Sequence, residues 1–530
     1  MELSNPKPLC HAIYVALLIP VTLFIFSLFI RPQVSYDPAY GFAALRSMLD
    51  GGSFNYITTP NPGNIANDIE TFLTWWSPGQ YLVPGLFVWL GTSYGMAASL
   101  TTLIATIVGV LGWAQIARRF DVSCFTLFLF IFGLVTFNYS TGPFHRYTGG
   151  EVIVFAALPW CLSALQWAVQ ERPAVSFATS VLVATVLFLA KLSGLVVFVA
   201  NIAAISLHLV LRLRRLTSSL LAMWAGSAVA GLFCLIFWLS RGQTPVSQSG
   251  YAFTWPVIWY PISAAAFSGF SMQDLLGWRF LHASAPTLSG TVASSYVLGP
   301  LGLLLIGWVW LQLRNTRHRS LVNLLLLIIV FYTATIAALY FRTAAATTTL
   351  PFEARYSRYA GILFFLLLLV AIDQWRGLLA RIIAILIVGF FAAYGLSSYA
   401  KAAREIMRGR QYDQASGTSM TFVSPVVLAY LRSELAEHRW HNVVAVVPVP
   451  WAAMGLPHFR IILGFNDMDN SSLEQIARHR WAGRSEKIFV IMNEKMRANG
   501  KAEAVLRTFV DYDFDNWSEI HMDGMIVYSR

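Results

Sequence analysis

HAIYVALLIPVTLFIFSLFI (11–30), followed at once by RPQVSYDPAYGFAALRSMLDGG (31–52), is the stretch on which the reading of this chain turns. The first run matches the roughly 20 apolar residues that a helix needs to cross a bilayer. Lys7 precedes it and no A-x-A-like cleavage site follows, so it reads as a retained signal anchor. The second run sets Asp37 a few residues beyond the lipid boundary. A carboxylate there is costly unless solvated or paired, and such residues are often functional. Tyr40, Phe42, Leu45 and Met48 recur at near-helical spacing, with Arg46 and Asp50 on other faces. That pattern predicts a helix lying at the interface, ended by Gly51-Gly52.

Working outward, the 530 residues are 57% hydrophobic and only 12% charged, against about 25% charged in a soluble protein. Mean hydropathy is +0.60. Repeated apolar runs, without the alternation of an outer-membrane barrel, give a polytopic α-helical membrane protein. About eleven spans are expected, at 10–31, 95–117, 121–138, 149–169, 174–190, 193–212, 219–240, 294–313, 320–341, 359–374 and 380–399. Segment 80–91 is apolar but too short to span and reads as a second interfacial helix. The net charge of +11 is the positive-inside bias of a membrane protein and its attraction to anionic lipids, not a nucleic-acid surface. The four cysteines, at 10, 124, 161 and 234, lie in or beside apolar runs and read as buried free thiols.

Basic residues set the orientation. With the N-terminus cytoplasmic, the inner loops hold Arg118-Arg119, Arg172, Arg212, Arg214, Arg215, Arg314, Arg317, Arg319, Arg376 and Arg381. Arg146, Arg241, Arg342, Arg355 and Arg358 fall outside, against the rule, so each needs a reason. The membrane part is expected to cover 1–400, with a large first outer loop at 32–94. Residues 401–530 carry roughly half of all charged residues and read as an extracytoplasmic α/β domain. Its strand-length runs are 442–447, 460–463, 487–492 and 525–528, and helical patterns cover 421–437, 471–480 and 494–509. No GxGxxG supports a nucleotide site.

These parts resemble the GT-C class of integral-membrane glycosyltransferases, which includes protein O-mannosyltransferases and the aminoarabinose transferases that modify lipid A. The resemblance covers about residues 10–400. It rests on Asp37-Pro38-Ala39-Tyr40 opening the first outer loop and on Trp75-Trp76-Ser77-Pro78-Gly79-Gln80-Tyr81 before the second interfacial helix. Thr148-Gly149-Gly150-Glu151 opens the fourth span, Ala190-Lys191-Leu192-Ser193-Gly194 lies between the fifth and sixth, and Glu353-Ala354-Arg355-Tyr356-Ser357-Arg358-Tyr359 precedes the tenth. The chain departs from the pattern with Pro38 where many relatives have a second acid, and with Ser77-Pro78-Gly79 where they often have His or Lys before Pro-Pro.

The resemblance implies a polyprenyl-phosphate-linked sugar as donor and a glycan, glycolipid or protein hydroxyl as acceptor, at the outer face of the inner membrane. Phosphate leaves readily, whereas a hydroxyl is a weak nucleophile at neutral pH, so one general base is the minimum requirement. Asp37 is the candidate, with helix capping as its structural alternative. Arg355, Arg358 and Lys191 are the candidates for the phosphate. Tyr40, Glu151 and Tyr359 complete the expected substrate site. Glu151 has pairing with Arg146 as its alternative, and Arg358 has snorkelling to headgroups. Trp75 and Trp76 suit an interfacial belt or a sugar platform. Asp68, Glu70 and Asp274 are further loop acids, and His145 and His282 could join a carboxylate around a divalent metal, although no spacing motif identifies one. A flippase for lipid-linked glycans, or a glycan polymerase or ligase, is the competing reading.

Overall fold

A computed structural model describes residues 11–74, 76–241, 255–270, 288–343, 353–375, 377–409, 411–463, 480–498 and 500–530. The chain is a multi-pass α-helical membrane protein. Ten of its described helices are long and apolar enough to cross a bilayer, and a bent pair makes the count eleven if read as one span. That pair, Cys124–Thr136 and Asn138–Phe144, turns by 52° where the sequence pattern runs on to 138. The break has a packing cause. Phe137 is extended, and Gly395 of the last span lies against it so closely that a Cβ there would be 2.1 Å from the Thr136 carbonyl. Thr141 Oγ1 then donates to the Gly395 carbonyl (3.2 Å).

The last span, Leu378–Gly409, continues well past 399 and leads into the C-terminal region. The predicted strands appear there as Val443–Val447, Arg460–Leu463, Lys487–Asn493 and Met525–Ser529. A fifth strand, Ser518–Met522, is largely exposed and too polar to stand out in the sequence. The strands join in one mixed sheet, with Val443–Val447 parallel to both of its neighbours. Alternation sorts the side chains. Val443, Ala445, Val447, Phe489 and Ile491 join the core shared with Pro425–His438 and the first outer loop. Val444, Val446, Ile488 and Val490 face Met496, Leu506 and Phe509. The helical pattern at 494–509 divides into Glu494–Ala498 and Lys501–Leu506, and that at 471–480 lies, apart from Arg480, outside the described residues.

Helices form at both predicted places in the first loop, as Tyr36–Leu49 and Gly79–Trp89. The first ends where Gly51 takes a φ of +93°, closed by Gly52 N donating to the Ser47 carbonyl (2.8 Å). Between them lies a hairpin, Tyr56–Asn61 with Asn64–Phe72. Its edge joins the C-terminal region through Ile65 N to the Ala482 carbonyl (2.8 Å) and Ala482 N to the Pro62 carbonyl (2.9 Å). The first loop and the sheet therefore lie at the same end of the bundle. At the other end, Arg317 pairs with Asp121 (2.8 Å), and Ser123 Oγ donates to Asp373 (2.7 Å), which groups the loops that the positive-inside reading placed together.

One expectation fails. Cys161 and Cys234 are free and buried, but Cys124 is disulfide-bonded.

Gly95, at the start of span Tyr94–Arg118, donates to the Ser416 carbonyl (3.0 Å), and a Cβ there would fall 1.9 Å from the Gly417 carbonyl. Gly95→Val is therefore expected to loosen the C-terminal region from the bundle, at a cost of about 1–3 kcal/mol. Thermal unfolding in detergent and limited proteolysis around residues 410–424 check this.

Candidate functional site

A short parallel ladder builds the site. Gln33–Val34 pairs with Arg146–Tyr147, and Ser35 donates both its N–H and its Oγ to the Tyr147 carbonyl (2.9 and 2.8 Å). This fixes the start of helix Tyr36–Leu49, with Asp37 in its first turn, beside the start of helix Gly150–Ala168, with Glu151 in its first turn. Ser35 is the N-cap residue, but its side chain makes no capping hydrogen bond. Gly149 holds a φ of +77°, and a Cβ there would be 3.1 Å from Pro38. A Cβ at Gly150 would be 2.4 Å from the Ala190 carbonyl, and one at Gly79 would be 2.4 Å from the Leu189 carbonyl. Two glycines thus let the chain around Lys191 approach both neighbouring helix starts.

The predicted residues Asp37, Glu151, Lys191 and Arg355 meet. Arg355 Nη1 lies 3.2 Å from Asp37 Oδ2 and 3.3 Å from Glu151 Oε1. Lys191 Nζ pairs with the same Glu151 oxygen, and Arg355 Nε pairs with Glu353. Arg355 Nη2 donates to the Tyr356 hydroxyl (3.3 Å), and its guanidinium lies 5.1 Å from the centre of that ring. Three carboxylates thus face two cations in a half-buried cluster, its side chains 19–33% exposed. Burial pushes the Glu353 carboxyl above the usual carboxylate range, with Arg355 opposing and Asp37 and Glu151 reinforcing the shift.

Arg358 and Tyr359 lie deeper. The Arg358 guanidinium is 4.7 Å from the centre of the Tyr139 ring. Tyr359 is buried and donates to Asn201 Oδ1 (3.0 Å). Both still line one cavity of about 70 Å³ with Glu151, Lys191 and Arg355. Its lining joins these charges to the apolar side chains of Val154, Phe155, Leu158 and Ile362. Tyr40 stands apart from the ion pairs. Its hydroxyl bonds that of Tyr36 (2.7 Å), and its ring stacks on Trp76 at 4.8 Å.

Other candidates go elsewhere. Asp68 pairs with Arg460 of the C-terminal sheet, and Glu70 accepts from Ser53 N (3.4 Å). The His145 ring lies 5.8 Å from that of Tyr399, and burial together with Arg146 lowers its pKa to about 4. It is therefore neutral at pH 7. Trp75, Asp274 and His282 lie outside the described residues. Among the described residues, one group has metal-binding spacing: Glu434, Glu437 and His438 on helix Pro425–His438. Glu353 was missed as a site residue although it opens the element that contains Arg355; only a fold that turns the chain at Ala354–Ser357 brings both to the cluster.

No family model matches the chain, and a search of curated proteins finds no relative. Solved structures do match. ArnT from Cupriavidus metallidurans bound to undecaprenyl phosphate aligns over 97% of both chains, with TM-score 0.54 and 12% identity. The fold is GT-C. The apo state of the same ArnT aligns over the same shares at TM-score 0.52. The apo Archaeoglobus fulgidus oligosaccharyltransferase aligns over 94% of this chain and 70% of its own, at 13% identity and TM-score 0.47.

Within this GT-C fold the Glu151–Lys191 pair joins two spans. Glu151→Ala is expected to lower stability by about 1–3 kcal/mol, because it leaves a half-buried ammonium without its nearest partner. In the double variant with Lys191→Ala the losses should fall short of additive by at least about 0.5 kcal/mol. A double-mutant cycle of thermal unfolding in detergent measures this.

Proposed function

We propose that the protein is a membrane glycosyltransferase that moves a sugar from a polyprenyl-phosphate donor to an acceptor hydroxyl at the outer face of the cell's inner membrane. The N-terminus is then cytoplasmic and the sheet extracytoplasmic. The observation that carries the reading is the Asp37–Arg355 contact, in which Arg355 also lines a cavity that combines charged and apolar side chains. That mixed lining suits an amphiphile whose phosphate meets cations and whose isoprenoid chain meets apolar side chains and lipid. An ArnT of the same fold has been solved with undecaprenyl phosphate bound.

The chemistry follows from the charges. The donor phosphate competes with the three carboxylates for Arg355, and Lys191 and Arg358 lie on the same cavity wall. Drawing Arg355 away leaves Asp37 Oδ2 open to the acceptor. Asp37 takes the hydroxyl proton as the acceptor oxygen bonds to the anomeric carbon. The bond from that carbon to the phosphate oxygen breaks, its electron pair stays on the phosphate, and the anomeric centre inverts. Tyr40 and Trp76 present a stacked aromatic pair one helical turn from Asp37, which suits a sugar face. A flippase has less support, because the charges cluster at one end of the bundle and not midway along the spans.

Asp37→Asn should reduce transfer about a hundredfold or more while undecaprenyl phosphate still binds. The check is the mass of envelope glycans in a deletion strain complemented at matched protein level, with binding measured on the purified variant. A full sugar increment from Asp37→Asn removes it as the base. Arg355→Ala should weaken undecaprenyl phosphate binding about tenfold or more, as read by titration in detergent.

A further inference from the structure

A second cavity, of about 490 Å³, lies between helix Tyr36–Leu49, the hairpin and the C-terminal sheet. That is the size of a small-molecule site, typically about 300–1,000 Å³. Its character is unlike that of the first. Arg46, Asp50, Asp68, Glu70, His458 and Arg460 line it. Its arginines are already matched: Arg460 pairs with Asp68, and Arg46 faces Asp50 at 3.7 Å. Arg46 is only 13% exposed. It donates to the Phe459 carbonyl, and its Nε is the atom that faces Asp50 Oδ2, beyond hydrogen-bonding distance. Burial lowers the Arg46 pKa. His458, on the cavity lining, is exposed and held at a φ of +66°, where a side chain other than glycine is strained, and such strain gathers at ligand sites.

Compensated charges set among hydroxyl and backbone groups suit a neutral, hydroxyl-rich ligand better than an ion. Carboxylate and guanidinium planes can each bridge neighbouring hydroxyls. Distance fixes the ligand's relation to the reaction. Arg46 is nine residues beyond Asp37 on one helix, roughly 13 Å at 1.5 Å per residue. We propose that this cavity is a distal acceptor subsite, which holds carbohydrate a few units away from the hydroxyl that receives the sugar. The acceptor is then a glycan chain, and the C-terminal region takes part in selecting it. This rests on the transferase reading above.

Two variants at the rim spare the ion pairs: Glu70→Lys, which is exposed, and Thr58→Trp, which fills the cavity from a hairpin strand. Each is expressed at low and at high level in a deletion strain, with envelope-glycan mass as the readout. Undecaprenyl phosphate binding by each purified protein controls for fold and donor site. The expected result is an increment reduced about tenfold or more at low expression, partial recovery at high expression, and undecaprenyl phosphate affinity within about twofold of wild type. A full increment from either variant at low expression overturns the proposal. So does a parallel loss of undecaprenyl phosphate binding, which would place the effect in the fold or the donor site. If wild type restores no increment that the deletion removes, the transferase reading falls, and the subsite falls with it.

Discussion

Arg355 is the group on which the site depends. It touches carboxylates from three separate parts of the chain, and Lys191 shares one of them. A guanidinium offers five N–H donors in a fixed plane, so it can meet several anions at once where a lysine could meet fewer in defined directions. Taking such a cluster out of water is costly unless each charge is answered. Here the answers come from the first loop, the start of one span, the end of another and the turn before the tenth span. The ion pairs therefore demand that these segments converge, and the convergence creates the site.

Backbone contacts make that convergence possible. The ladder from Gln33–Val34 to Arg146–Tyr147 fixes the angle at which the Asp37 helix leaves the first span. Gly79 and Gly150 let that corner close around Lys191. The C-terminal sheet reaches the same corner through the hairpin and through Arg46, so the helix that carries Asp37 is held from the membrane side and from the sheet side. The proposed base and the polar cavity thus share one helix, through which binding far from Asp37 could align groups beside it.

Much of this was legible in the sequence because bilayer thickness and strand alternation leave strong periodic signals. The spans, both helices of the first loop and the predicted strands Val443–Val447 and Lys487–Asn493 are readable for that reason. Asp37, Glu151, Lys191 and Arg355 could be named because each is a charge at a span boundary, where charge is costly. What escaped depends on contacts distant in sequence. The bend at Phe137 comes from Gly395, and the disulfide at Cys124 has no local signature. Arg46 reads as the wet face of an amphipathic helix but is buried against the C-terminal region. Glu353 sat inside a recognised element yet carried no separate signal, since its role exists only once Arg355 is folded beside it.

The central claim is that Arg355 exchanges carboxylates for the donor phosphate. A cryo-electron microscopy structure of the protein with undecaprenyl phosphate tests it most directly. The account predicts the phosphate within hydrogen-bonding distance of Arg355 and Lys191, the first isoprene units along Val154 and Phe155, and Asp37 released from Arg355. A phosphate bound elsewhere, with Arg355 still paired to Asp37 and Glu151, would contradict it.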